Sequence, residues 1–416
     1  MADITRRSFL ATGAAATALF LTACASSSQS ASDSAQAASA SAASASAGAA
    51  TGKHIIGVAV YDVADSEVIM FKKYLVDYIA ATSFPDVQFV YSGSIVSEDQ
   101  LLAFIDDVAA LGGEGIMSFY NINLAVEVER CASHGMYHIV ASGTVSDADF
   151  ASVADNEYFI GAIGPGLEME YNAGGSMVRT FRGAESGNRY FVMTGGAAFG
   201  NEMHYQRTYG ILDALETNFG VDLGATKDLA AVDVATTITT DRVTVTLSPG
   251  YVAIDAMKQL VVESFESGEY DVVLSTIPVA PILGKLVDAD LKIAQVDCYS
   301  QDNQLLFASN RLSYLAGKYG SIIGPSFAAM YNAVTGHAAD FRDGGKAFRI
   351  VQNFWASDST DDFNEKYEFA LNILSPAYNY EDLQAVCKEF NPDATLEDLV
   401  KLTEASSYED ARKRRS

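Results

Sequence analysis

The chain has 416 residues, 49% of them hydrophobic with 22 Phe and 21 Tyr, which is enough to bury a substantial core in one large or two medium domains. Its 27 Lys and Arg stand against 53 Asp and Glu, a formal net charge of −26. A field of that sign repels phosphate backbones and anionic lipid, and the basic cluster at Arg412 to Arg415 is too small to offset it. Nucleic acid is therefore excluded as a partner.

The first 24 residues read as a targeting segment. Arg6-Arg7, within Thr5-Arg-Arg-Ser-Phe-Leu10, precedes an apolar run from Phe9 to Ala23. That run is shorter than the roughly 20 residues a bilayer span needs. It ends in Leu21-Thr-Ala-Cys24, which resembles the lipobox of bacterial lipoproteins. The resemblance implies a diacylglyceryl group on Cys24, which would become the mature N-terminus. The Thr-Arg-Arg-x-Phe-Leu stretch looks like a twin-arginine export signal, with an ordinary secretory signal as the alternative. Two acyl chains on one residue meet the requirement for stable anchoring. The expectation is an extracytoplasmic protein tethered to the outer face of the cell membrane, since no other stretch approaches 18 uninterrupted apolar residues. Residues 25–52, almost wholly Ala, Ser, Gly and Gln, cannot bury a core and read as a flexible tether.

From Lys53 onward, short apolar runs alternate with amphipathic stretches, the pattern of βαβ units around a parallel sheet. Ile55–Val60 is the first predicted strand. A helix carrying Val68, Phe71, Leu75 and Tyr78 follows, then a strand at Val87–Tyr91. Ser97 and Gln100 form a capping box at the start of a helix with Leu101, Phe104, Ile105 and Val108 on one face. Strands at Gly115–Phe119 and Tyr137–Ala141 flank a helix that stops at Gly135. The rhythm restarts after about residue 172, with a strand at Tyr190–Thr194 and a helix that carries Tyr205 to Phe219 and ends at Gly220. Thr236–Thr246 reads as an extra strand. Ser248 and Pro249 read as the N-cap and first residue of a helix. Asp271–Ser275 and Leu291–Val296 are strands on either side of a helix near Ile282 to Val287. Phe348–Trp355 looks like a late strand, with Trp355 a core or inter-lobe packing residue. Beyond Ser357 the tail is helical.

Two consecutive α/β halves predict two Rossmann-like lobes with parallel sheets, joined by a multi-strand hinge. A ligand would sit between them at the carboxyl ends of the strands. The first lobe is placed at 53–162 plus 300–340, and the second at 163–299 plus 341–416. Chain crossings are expected near 160–172, 297–303 and 336–347.

From Lys53 to about Gly336 the chain resembles the type I periplasmic binding proteins, the group of ribose- and galactose-type sugar receptors that also includes the nucleoside-binding basic membrane proteins. Five segments match in order. They are Lys53-His-Ile-Ile-Gly-Val-Ala-Val60, the helix and strand entry from Gln100 to Ile116, Ala132-Ser-His-Gly-Met-Tyr-His-Ile-Val140, Gln206-Arg-Thr-Tyr-Gly210 and Lys292-Ile-Ala-Gln-Val-Asp297. The Asn-Pro-Phe that often follows the first strand in sugar receptors is replaced by Tyr61-Asp62-Val-Ala-Asp65. Thr194-Gly195-Gly196 echoes the Gly-Gly strand exit of the nucleoside receptors.

The resemblance implies that Arg207 points into the cleft, donating several hydrogen bonds to ligand oxygens, and that Asp297 accepts hydrogen bonds there. Arg207 could instead lie on an exposed helix face, and Asp297 could be a turn residue. Asp62 occupies the equivalent place after the first strand. Tyr61 and Tyr120 follow strand ends and could stack on a ring. Asn121, Ser142 and Thr276 are further polar residues at strand termini.

No P-loop, G-x-S-x-G or H-E-x-x-H is present, and the five histidines show no metal-ligand spacing. Neither an enzyme, a metal site nor a cofactor is expected. Cys131, Cys298 and Cys387 leave one disulfide or three buried thiols open. The expected role is capture of a small polar ligand, a sugar or nucleoside, for the permease of an ABC transporter. Presentation of ligand to a membrane sensor, and a ligand-free surface lipoprotein, are the alternatives.

Overall fold

The computed structural model describes residues 52–119, 121–181, 187–197, 201–224, 226–251, 253–285 and 291–416. Cys24 and the tether up to residue 51 lie outside them. Strands β1 (His54–Val60), β2 (Val87–Ser94), β3 (Gly115–Ser118), β4 (Tyr137–Ala141), β5 (Phe159–Gly164) and β12 (Phe348–Val351) form one sheet, in the order β2-β1-β3-β4-β5-β12. Every pairing in it is parallel. The near-continuous apolar runs of β1, β3 and β4 follow from this, because a parallel sheet covered by crossover helices is buried on both faces.

The second sheet holds β6 (Arg189–Thr194), β7 (Thr236–Thr239), β8 (Thr244–Pro249), β9 (Val272–Ser275), β10 (Lys292–Cys298), β11 (Leu312–Lys318) and β13 (Trp355–Ser357), in the order β7-β8-β6-β9-β10-β11-β13. Its parallel block β8-β6-β9-β10-β11 repeats the β2-β1-β3-β4-β5 order of the first sheet. Antiparallel β7 and β13 are added at the two edges. Both sheets belong to one compact unit, Gly48–Ser416. No helix among the described residues is long and apolar enough to cross a membrane.

Local signals held where a cap or a glycine set a helix end. Gly220 closes the helix Glu202–Phe219 in the left-handed conformation, with φ 62°. Ser97 accepts from the Gln100 amide, although Gln100 reaches back to the Val96 amide rather than to that of Ser97. Ser248 and Pro249 begin no helix. They end β8, and the helix starts at Asp255. Thr236–Thr246 is a hairpin of two strands, β7 and β8, rather than one strand.

The chain passes between sheets three times. It leaves the first after Gly164, inside the expected 160–172 window. It returns between Lys318 and the helix Gly324–Asn332, which packs on β3, β4 and β5. It crosses last between Val351 and Trp355. The last two positions correct the expected 297–303 and 336–347. They also move residues 300–318 into the second lobe and 348–351 into the first. The reason is local. Leu312–Lys318 is interrupted by Ser313 and Gly317 and did not read as a strand. Phe348–Trp355 read as one strand but contains two, each paired to a different sheet.

The helical tail fastens these crossings. Trp355 is buried and stacks on Tyr319, with ring centroids 3.9 Å apart and 12° between planes. Its indole N–H donates to the Ser406 carbonyl at 3.0 Å, and the Asn353 amide donates to the Ser406 hydroxyl at 2.8 Å. The Gln352 side-chain amide donates to the Ile322 carbonyl at 2.8 Å, tying one crossing to the other.

Candidate functional site

A cavity of about 60 Å³ lies between the two sheets at the carboxyl ends of their strands. By the same measure of volume it would hold roughly four to six waters. The first lobe lines it with Tyr61, Glu67 and Phe119. The second contributes Asn201, Met203, His204, Arg207, Tyr251, Thr276, Ile277, Pro278, Val296, Asp297 and Lys318. A larger open groove of about 600 Å³ runs beside Pro165, away from these charged and aromatic groups.

Arg207 is buried on the helix Glu202–Phe219 and grips Glu170 with two bonds, Nε to Oε2 at 2.6 Å and NH2 to Oε1 at 3.0 Å. Its NH1 donates to the Thr276 carbonyl at 2.8 Å. Three of the five guanidinium N–H bonds are therefore held within the protein. Thr144 of the first lobe donates to the same Glu170 carboxylate at 3.1 Å. His204 sits one turn before Arg207. Burial, then the charges of Arg207 and Lys318, push its imidazole down to about 3, so it is neutral. Its Nδ1 has no hydrogen-bond partner among the described residues.

Across the cleft, Asp65 caps the helix Ser66–Lys73, accepting from the Glu67 amide at 2.7 Å and from the Tyr61 hydroxyl. Burial, then the Glu67 charge, raise its carboxyl to about 7. Asp297 in β10 accepts from the Asn303 side-chain amide at 2.7 Å. Its carboxyl is pushed well up, by burial first and then by Asp65 and Glu67. Lys318 ends β11 and pairs with Glu67 at 3.0 Å, joining the second sheet to the first helix of the first lobe. Tyr61 and Tyr251 meet from opposite lobes, with centroids 6.0 Å apart at 59°.

Of the residues singled out in the sequence, Tyr61, Arg207, Thr276 and Asp297 line this cavity. The Thr276 hydroxyl donates to the Met193 carbonyl, so its backbone oxygen is what bears on Arg207. Asp62 lines a neighbouring opening of about 330 Å³ at the cleft mouth, shared with Asp65, Asp297 and Asp302. Asn121 is half-buried, and Ser142 is buried with φ 60°. Neither lines the cavity. Tyr120 lies outside the described residues. Sequence reasoning missed Glu67, His204, Tyr251 and Lys318. His204 could have been found from its spacing, three residues before Arg207 and so on the same helix face. Tyr251 was hidden by the misread Ser248-Pro249, and Lys318 by the unread β11. Cys131, Cys298 and Cys387 are buried free thiols.

No protein-family model matches the chain, and no curated protein matches its sequence. Solved structures do match its fold. A Mycobacterium smegmatis protein in complex with β-D-fucofuranose aligns with a TM-score of 0.55 at 14% identity, over 76% of this chain and 97% of its own. A galactofuranose-binding protein aligns with a TM-score of 0.55 at 10% identity, over 77% and 99%. The periplasmic binding protein component of the arabinose ABC transporter from Shewanella sp. ANA-3, bound to α- and β-L-arabinofuranose, gives 0.52 at 13% identity, over 76% and 94%. The fold is that of the type I periplasmic binding proteins. In type I terms the cavity occupies the inter-lobe cleft, and the 164–167, 318–324 and 351–355 segments form the hinge. The helical tail that clasps Trp355 packs against that hinge.

Proposed function

We propose that this protein is an extracytoplasmic solute receptor, anchored to the outer face of the cell membrane through Cys24. It closes its two lobes on a small polar ligand and delivers it to the permease of an ABC transporter. The observation that carries this reading is the cavity at the strand ends, where polar and aromatic side chains from both lobes converge. Such a site suits a monosaccharide or nucleoside, with Tyr61 and Tyr251 against a ring face and Asp297 and the two remaining Arg207 donors on hydroxyls. The sugars bound by proteins of this fold support the sugar class. The hinge supplies the motion, since three short crossings can absorb a domain closure. Cys24 at the end of an apolar leader supports the anchor.

A thermal-shift screen of the purified protein against pentoses, hexoses and nucleosides tests the reading. Ligand at about 100 times its dissociation constant adds about 2.7 kcal/mol and raises Tm. A stabilising member of the panel whose effect is lost in Asp297→Ala is the expected result. A well-folded protein that none of the panel stabilises would count against it.

A further inference from the structure

We propose that the ligand carries a protonated amine, which sits on Asp297 beside the rings of Tyr61 and Tyr251, so that the preferred solute class is an aminated monosaccharide rather than a neutral or anionic one. The inference rests on the receptor reading above and narrows it.

The charge inventory of the cleft leads there. Both cations that line the cavity are matched by protein carboxylates, Arg207 by Glu170 and Lys318 by Glu67. His204 is neutral. With one side of its fork on Glu170 and NH1 on the Thr276 carbonyl, Arg207 has its charge already matched and keeps two N–H donors for neutral ligand oxygens. An anion entering this space would meet no unmatched positive charge on its lining.

Two buried carboxylates remain, while Asp62 and Asp302 at the same mouth are more exposed. Asp65 from the first lobe and Asp297 from the second are each more than nine-tenths buried, and both face the mouth of the cleft. Neither makes an ion pair among the described residues. Lys258, which lines the same mouth, is only half-buried and bonds to neither of them. Asp297 is the one that reaches inward, since it lines both the mouth and the inner cavity. A buried carboxylate without a countercharge draws in either a cation or a proton. Without ligand the proton serves, as the raised carboxyls of Asp65 and Asp297 indicate. An ammonium group would replace it.

The aromatic groups point the same way. Tyr61, Tyr251 and Phe119 all line the cavity, and the faces of such rings attract a cation that has lost its water. Hydroxyls on a sugar ring in the same space would satisfy Asn201 and the neutral His204. A net charge of −26 also favours the approach of a cationic solute over an anionic one.

Calorimetric titration of the purified protein at pH 7 with D-glucosamine, D-galactosamine and D-mannosamine, each against its parent hexose and its N-acetyl derivative, tests the proposal. At least one amine is expected to bind tenfold or more tightly than its two neutral counterparts. Asp297→Asn, checked for folding by its own thermal transition, is expected to erase that preference. An amine preference that survives Asp297→Asn overturns the assignment to this carboxylate. Equal or tighter binding of the neutral sugars overturns the amine and leaves the receptor reading standing. Binding of neither the amines nor any neutral sugar or nucleoside removes both.

Discussion

The first lobe brings Tyr61, Glu67 and Phe119 to the cavity, while the second brings Arg207, His204, Tyr251, Asp297 and Lys318 from one helix and several strand ends. The two lobes share the strand order of their five-stranded parallel blocks, whose ends meet at the cleft, so the difference at the cavity lies in the loops and helix starts that follow those strands. The charged groups of the second lobe are already fixed. Arg207 is locked by Glu170 on the helix Leu167–Thr180 of that lobe and by the carbonyl after β9. The first lobe adds aromatic walls and one carboxylate, and Glu67 reaches over to Lys318. A solute entering the open cleft would thus meet a half-site whose polar geometry is set, and the other half would cover it. Fixing polar groups in advance reduces the ordering cost of binding.

This asymmetry can be broken most strongly at Arg207. Arg207→Met leaves Glu170 buried without its cation and is expected to cost about 3–5 kcal/mol of stability in urea unfolding. The loss would appear with no ligand present, which a purely ligand-contacting arginine would not show.

A smaller effect is expected at Asp65, and its sign follows from the raised carboxyl. The side chain ionises near 3.8 when unfolded but keeps its proton to about 7 when folded. The stability it contributes is full below about pH 4 and is lost as the pH rises through about 7. Asp65→Asn retains a good helix cap. It is expected to flatten the fall in Tm between pH 4 and 8 and to gain about 2–4 kcal/mol at pH 8. A variant whose Tm falls as steeply as that of the natural protein would show that Asp65 ionises normally.

The aromatic pair sharpens the comparison most finely. Tyr61→Ala and Tyr251→Ala are each expected to weaken the best sugar of the screen about three- to thirtyfold, read by calorimetry. If only Tyr251→Ala matters, the second lobe holds the ligand alone and the first is merely a cover.

Much of the frame was legible because its signals are local. Strand after strand in the first lobe announced itself as an apolar run followed by a helical stripe, and Gly220 and Ser97 marked helix termini through their own backbone requirements. Asp297 and Tyr61 could be chosen because a doubly wound sheet places its strand ends at the cleft, and Arg207 because Gln206-Arg-Thr-Tyr-Gly210 resembles a segment of the type I binding proteins. The site was less legible. Lys318 ends a strand broken by Ser313 and Gly317, and Tyr251 follows a Ser-Pro pair with the look of a helix start. Glu170, which decides what Arg207 can do, lies 37 residues away with no sequence cue linking the two.

The sequence by itself determined the alternation of strand and helix, the two-lobed α/β plan and the acidic surface, since periodicity, caps and composition are properties of neighbouring residues. Only the tertiary structure decided which sheet each late strand joins, where the chain crosses the hinge and which charges in the cleft are already matched. Those outcomes depend on strand pairing and burial between segments far apart in the chain, and a buried group's partner is set by that packing.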